Sequence, residues 1–147
     1  MVGGLPVCHF GFPGPQRDRL VAAVLRGEKT ATASLRVEYE PEGRDELPQP
    51  GMRWVVVDSS DRPVAVIETS EVRVVRAGDV DEQFAIDEGD GFESVADWRT
   101  AHERFWGSDD YRREVGVVEV EDDTMVVCER FRLVRTVRSP DLASPTP

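Results

Sequence analysis

The sequence predicts an α+β fold: a small, mostly antiparallel β-barrel flanked by about three helices. Three observations predict it. Residues 64–75, alternating clearly from Glu71 onward, form a run too long to stay flat, which barrels bend at a bulge, and residues 124–137 alternate apolar and polar side chains. Residues 18–25 and 95–105 place apolar side chains one helical turn apart. Strands and helices also follow one another without the regular alternation of a doubly wound parallel sheet.

Taken in order, residues 1–14 read as an extended lead-in with turn chemistry at Gly3, Gly4, Gly11 and Gly14. Pro15 suits the first position of a helix, where its missing N–H is not needed. Leu20-Val21 and Val24-Leu25 form the apolar stripe of that helix, and Gly27 ends it. The next stretch, through Lys29, Thr30, Thr32 and Ser34, reads as a short polar turn. Leu35-Arg36-Val37-Glu38-Tyr39 alternates as a half-buried strand. Residues 40–51, with prolines at 41, 48 and 50, read as a surface loop. Met52–Asp58 is a strand with a β-branched centre, Ser59–Pro63 a connection of hairpin length, and Val64–Val75 one long strand bent near Thr69. Asp79 is the expected N-cap of a short helix over Val80–Ile86. Asp87–Phe92 is an acidic, glycine-rich loop, and Ser94 caps a helix over Val95–Phe105. Residues 107–116 read as a polar connection, Val117–Val120 as a short strand, and Thr124–Val137 as the closing strand. One domain is expected over residues 1–138, and the proline-rich tail 139–147 is expected to be disordered.

With 147 residues, 39% of them hydrophobic and 32% charged, the chain can bury a real core. No run approaches the roughly 20 apolar residues of a membrane span. No basic region followed by an apolar stretch marks a leader, so the expected compartment is the cytoplasm and no membrane partner is expected. The net charge of -11 argues against broad nucleic-acid binding, which draws on basic residues neutralising phosphates. It leaves room for a nucleoside, or for a local contact with single-stranded RNA if the arginines at 73, 76, 112, 113, 130, 132, 135 and 138 converge. Cys8 and Cys128 read as small, reduced, apolar side chains. Metal-ligand spacings such as C-x-x-C are not present, and neither a metal nor a cofactor is expected.

Gly27-Glu28-Lys29-Thr30-Ala31-Thr32 resembles the G-x-K-T-x-T signature of the ASCH family, a group of PUA-like β-barrel domains. Ile67-Glu68-Thr69 resembles that family's barrel strand ending in an acidic residue. Glu88-Gly89-Asp90-Gly91, then Trp98 and His102-Glu103-Arg104-Phe105-Trp106, resembles a segment of its longer subgroup. The similarity runs from about Phe10 to Val134. It implies a PUA-like fold and two kinds of activity. Small ASCH amidohydrolases deacetylate N4-acetylcytidine with a lysine, a threonine and a glutamate that fall on Lys29, Thr32 and Glu88. Some relatives in the longer subgroup cleave single-stranded RNA, and PUA-like domains in general bind RNA without catalysis. The chain departs from the small amidohydrolases in placing Ala33-Ser34-Leu35 before Arg36, and in carrying the Trp98–Trp106 helix.

The catalytic candidates are therefore Lys29, Thr32 and Glu88. A lysine desolvated in a pocket can accept a proton. It would activate the weakly nucleophilic Thr32 hydroxyl, Glu88 would move a proton to the departing amine, and turn amides from Gly27 to Thr32 would stabilise the oxyanion. Alternatively, Lys29 stays charged and Glu88 activates water. Thr30, Ser34, Glu68, Tyr39 and Trp54 are the substrate-binding candidates: two hydroxyls near the lysine, an acid interrupting an apolar strand, and two rings able to stack a base. Each also has a plain structural reading. Glu88 fits a solvated loop acid, Glu68 the outward phase of its strand, and Trp98, His102 and Trp106 the packing face of one helix.

Overall fold

A computed structural model describes residues 2–40 and 47–137; residues 41–46 of the loop at 40–51 and the tail from 138 lie outside the described residues. Eleven elements follow in order: β1 (Val7–Cys8), α1 (Pro15–Arg26), β2 (Ala31–Leu35), a 3-10 turn (Arg36–Tyr39), β3 (Arg53–Val57), β4 (Pro63–Arg76), a second 3-10 turn (Ala77–Asp79), α2 (Glu82–Asp87), α3 (Val95–Trp106), α4 (Asp109–Glu114) and β5 (Met125–Thr136). The fold is α+β, as expected, with four α-helices rather than about three.

The strands form one sheet in the order β1-β3-β4-β5-β2. β1 runs parallel to β3 and every other pair is antiparallel. β1 and β2 are the two edges, so the sheet is open and the word barrel fits it only loosely. The 14-residue β4 slips register against β5 between Val66 and Ile67 and again between Thr69 and Glu71. Those bulges add twist where the sequence implied a bend. The sheet buries both faces. One face packs Leu35, Val126 and Cys128 against Phe84, Trp98, Trp106 and Tyr111 of α2, α3 and α4. The other packs Val56, Ala65, Ile67 and Phe131 against Phe10 and against Val21 and Val24 of α1.

Local chemistry sets the helix ends. Pro15 opens α1, and Gly27 closes it in the left-handed region at φ 80°. Ser94 accepts from the Asp97 N–H at 3.1 Å and starts α3 as read from the sequence. α2 starts later than expected: Asp81, not Asp79, is its cap and accepts from Phe84 N–H at 2.7 Å, because Asp79 already lies in the preceding 3-10 turn.

Four other expectations fail for identifiable reasons. The strand read over Leu35–Tyr39 is a 3-10 turn, because Glu38 folds back to accept from the Leu35 N–H at 2.9 Å and from the Tyr111 hydroxyl at 2.9 Å. The real strand lies four residues earlier, where Ala31–Leu35 pairs with Val126–Arg130, so Thr32 and Ser34 sit on a strand and not a turn. Residues 107–116 hold α4, capped by Ser108 but too short to show a repeated apolar stripe. Val117–Val120 forms no strand, whereas Val7–Cys8 does by pairing with β3.

Leu35 is fully buried where β2 meets the helical layer. Leu35→Ala should lower unfolding stability by about 2–5 kcal/mol in urea titrations, the range for truncating a buried leucine.

Candidate active site

The lysine turn and the glutamate loop are built as one unit. After Gly27, the Glu28 and Lys29 amides both bond the Ala23 carbonyl, at 2.9 and 3.1 Å. Thr30 N–H then donates to Asp87 O at 2.8 Å, which ties the end of α2 to the start of β2. Gly89 sits at φ 73° directly against this turn, and a Cβ there would lie 2.7 Å from the Lys29 backbone. The second residue of the Glu-Gly-Asp-Gly loop is therefore glycine for two reasons, conformation and contact. The turn amides from Gly27 to Thr30 all donate to carbonyls of the protein. Four of the six amides assigned to an oxyanion hole are thus already occupied.

This docking buries an ion pair. Lys29 is 2% exposed and Glu88 4%. The Lys29 ammonium donates to Ala31 O at 2.7 Å and Glu88 O at 3.2 Å, lies 3.6 Å from Glu88 Oε1, and faces the Phe10 ring at 5.1 Å. The other carboxylate oxygen, Oε2, accepts from the Trp98 indole N–H and lies 3.1 Å from His102 Nε2. His102 is itself placed by its Nδ1 contact with Trp98 O at 2.9 Å and by stacking on Trp98. Desolvation lowers the Lys29 pKa, and the attraction of Glu88 offsets only part of that. Desolvation raises the Glu88 carboxyl, but His102, Lys29 and Trp98 together outweigh it and hold its pKa below the ordinary value.

Beside the pair lies a cavity of about 980 Å³. Lys29, Thr32, Ser34, Tyr39, Trp54 and Glu88 all line it. Thr32 and Ser34 share one face of β2, two residues apart. The Ser34 and Tyr39 hydroxyls are 3.0 Å apart, and desolvation pushes the Tyr39 phenol up to about 12, so it stays protonated. Trp54 donates from its indole N–H to Thr69 Oγ1 at 2.9 Å.

Two candidates lie elsewhere. Thr30 is not in the cavity wall. Glu68 is on the other side of β4, held by Arg53 at 2.9 Å and Arg132 at 3.3 Å, which is the outward phase of its strand. Cys8 lines the cavity, but desolvation pushes its thiol up to about 12; Cys128 is raised to about 12 for the same reason. Neither is a thiolate at neutral pH.

The family model for the ASCH domain matches residues 7–135. The chain belongs to the ASCH domain family. Two solved structures agree with the fold. An ASCH domain from Lactobacillus crispatus JV V101 is 30% identical, with a TM-score of 0.78, and the match covers 91% of this chain and 82% of that one. A protein from Enterococcus faecalis V583, assigned to the DUF984 family, is 28% identical with a TM-score of 0.77, covering 89% and 77%. No curated protein matches the sequence. Among the described residues, no helix of this ASCH domain is long and apolar enough to cross a membrane.

Sequence reasoning did not single out Glu129, one of several unforeseen residues of the ASCH cavity. Glu129 on β5 lines it and pairs in register with Thr32. Its signal was faint: a carboxylate in phase with Val127 and Phe131. The sequence reads His102 as a hydrogen-bonded packing histidine, and it does stack on Trp98 and bond its carbonyl; its contact with Glu88, 14 residues away, is visible only in the fold.

Glu88→Gln should destabilise the fold at neutral pH by about 3–5 kcal/mol, because it leaves a buried ammonium without its counter-charge. The folded pKa of Glu88 is depressed. Its contribution is therefore present above the unfolded value of about 4.3 and is lost as pH falls through the lower folded value. Urea midpoints of parent and variant should converge as the pH is taken below about 4.

Proposed function

We propose that this protein is an amidohydrolase acting on an N-acylated nucleoside of the N4-acetylcytidine type. The observation that carries the proposal is Lys29: a lysine 2% exposed, its pKa lowered by burial, in the wall of a cavity that also holds the Thr32 hydroxyl. The Glu88 pair holds the ammonium, burial lowers its pKa, and its unprotonated form can take a proton from a hydroxyl of the same cavity, which then becomes a nucleophile.

In the proposed reaction the unprotonated form of Lys29 takes the Thr32 proton and Thr32 Oγ attacks the acyl carbonyl. The C–N bond breaks, the amine leaves with a proton, and the acyl group stays on Thr32 as an ester. Water then hydrolyses that ester and releases the carboxylic acid. Glu88 is proposed to hold Lys29 and, through Trp98 and His102, to keep the loop in place. Its lowered pKa favours a carboxylate over a proton carrier. The oxyanion donor is assigned to the Ser34–Tyr39 hydroxyl pair, on the same face of β2 as Thr32.

ASCH domains are associated with RNA binding, and an acylated cytidine is an RNA-derived substrate. A small ligand agrees better with the charge of this chain than a long strand does. The net charge is -11. Five of the eight clustered arginines, Arg73, Arg76, Arg113, Arg130 and Arg132, each pair with a carboxylate. The cavity volume lies in the range of small-molecule sites.

Purified protein should release cytidine from N4-acetylcytidine. Lys29→Ala and Thr32→Ala should each lower kcat by roughly 10²–10⁴-fold while circular dichroism shows both folded. Absence of turnover by the parent, with cleavage of single-stranded RNA that Lys29→Ala abolishes, would replace this reading with a ribonuclease.

A further inference from the structure

We infer that Glu129 is the second acid–base group of this site, giving a proton to the departing amine and then taking one from the hydrolytic water. The inference rests on the amidohydrolase reading and adds the group that reading lacks.

Position comes first. Glu129 lies opposite Thr32 in the β2–β5 ladder, and residues directly opposite in an antiparallel pair project to the same face with Cβ atoms about 4.5–5.5 Å apart. Both side chains line the cavity. No other carboxylate of the cavity wall is paired with Thr32 in this way.

Its fixation is the second point. Glu129 Oε2 accepts from Thr69 Oγ1 at 2.6 Å, and Thr69 in turn accepts from the Trp54 indole at 2.9 Å. Thr69 is fully buried, so this support is rigid. Glu129 Oε1 makes no hydrogen bond among the described residues. One oxygen is thus anchored and the other is free to meet a ligand, whereas Glu88 engages both oxygens with Lys29, Trp98 and His102.

The two environments push the carboxyls apart. Desolvation raises the Glu129 pKa, and the Thr69 hydrogen bond and Lys29 counter it only in part. Cys8 and Tyr39 also feel the Glu129 charge, and both thiol and phenol are protonated at neutral pH. A pair of carboxyls driven in opposite directions divides the labour of acid and counter-ion.

The proton balance closes. In acylation the Thr32 proton goes to Lys29, and the Glu129 carboxyl proton goes to the leaving nitrogen. In deacylation the Glu129 carboxylate takes a proton from water, the hydroxide attacks the ester, and Lys29 returns its proton to Thr32. Amide and water become amine and carboxylic acid, and both groups are reset.

The test compares the parent with Glu129→Gln and Thr69→Val on N4-acetylcytidine and on p-nitrophenyl acetate, with folding checked by circular dichroism. Glu129→Gln should lower amide kcat by roughly 10²–10³-fold with little change in KM. It should keep the p-nitrophenolate burst, because that leaving group needs no proton, and lose the later steady state. In the parent, amide turnover should fall as pH rises through the Glu129 pKa. Thr69→Val should move that limb to higher pH by removing the bond that favours the carboxylate, and it serves as the readout if Glu129→Gln does not fold. A parent that turns over the amide beside a Glu129→Gln of unchanged rate and pH profile overturns this inference alone. A parent without amide turnover overturns the amidohydrolase reading and this inference with it.

Discussion

An ammonium 2% exposed to solvent must find its hydrogen bonds and its counter-charge inside the protein, and at Lys29 that requirement organises much of the structure. Its partners are two carbonyls, one carboxylate and an aromatic face. Supplying them brings the end of α1, the start of β2 and the loop after α2 to one point. Gly89 permits the approach by having no side chain. Trp98 and His102 then fix α3 to the same carboxylate, so the helical layer is anchored through Glu88 as well as through its apolar contacts.

The sheet supplies what the buried pair does not. β4 and β5 are long enough to pack different layers on opposite faces, and their bulges turn the sheet near Thr69. Around that turn, side chains on one face of β2 and β5 form a polar wall: Thr32, Ser34 and Glu129, backed by Thr69. Glu129 in that wall and Glu88 across the cavity differ in what surrounds them. Glu88 has a cation, an indole N–H and an imidazole; Glu129 has one hydroxyl and a poorly hydrated position. Their opposite pKa shifts follow from that difference.

Local signals were legible where one residue decides the outcome. Pro15 and Gly27 bounded α1, Ser94 capped α3, and the length of the Val64–Val75 run gave a long bent strand. The lysine and glutamate blocks were recognisable as short motifs, and both reach the cavity. Reading failed where a distant partner decides. The Leu35–Tyr39 run has strand alternation, but Tyr111 and the Leu35 N–H capture Glu38 and wind it up. Val7–Cys8 has too little pattern to announce a strand and becomes one only because β3 offers a free edge. Glu68 and Thr69 are neighbours in sequence, and only the sheet decides which faces the cavity side.

The sequence by itself determined the class of fold, the approximate bounds of α1, β3, β4, α3 and β5, and the short motifs that contain Lys29, Thr32 and Glu88, because spacing, capping and short motifs act over a few residues. The tertiary structure alone decided that Glu88 is a clamped counter-ion, that Glu129 stands opposite Thr32 and that the turn amides are occupied. Each of these depends on a contact between segments far apart in the chain. Strand register and burial set the charge state of a side chain, and neither is written in its immediate neighbours.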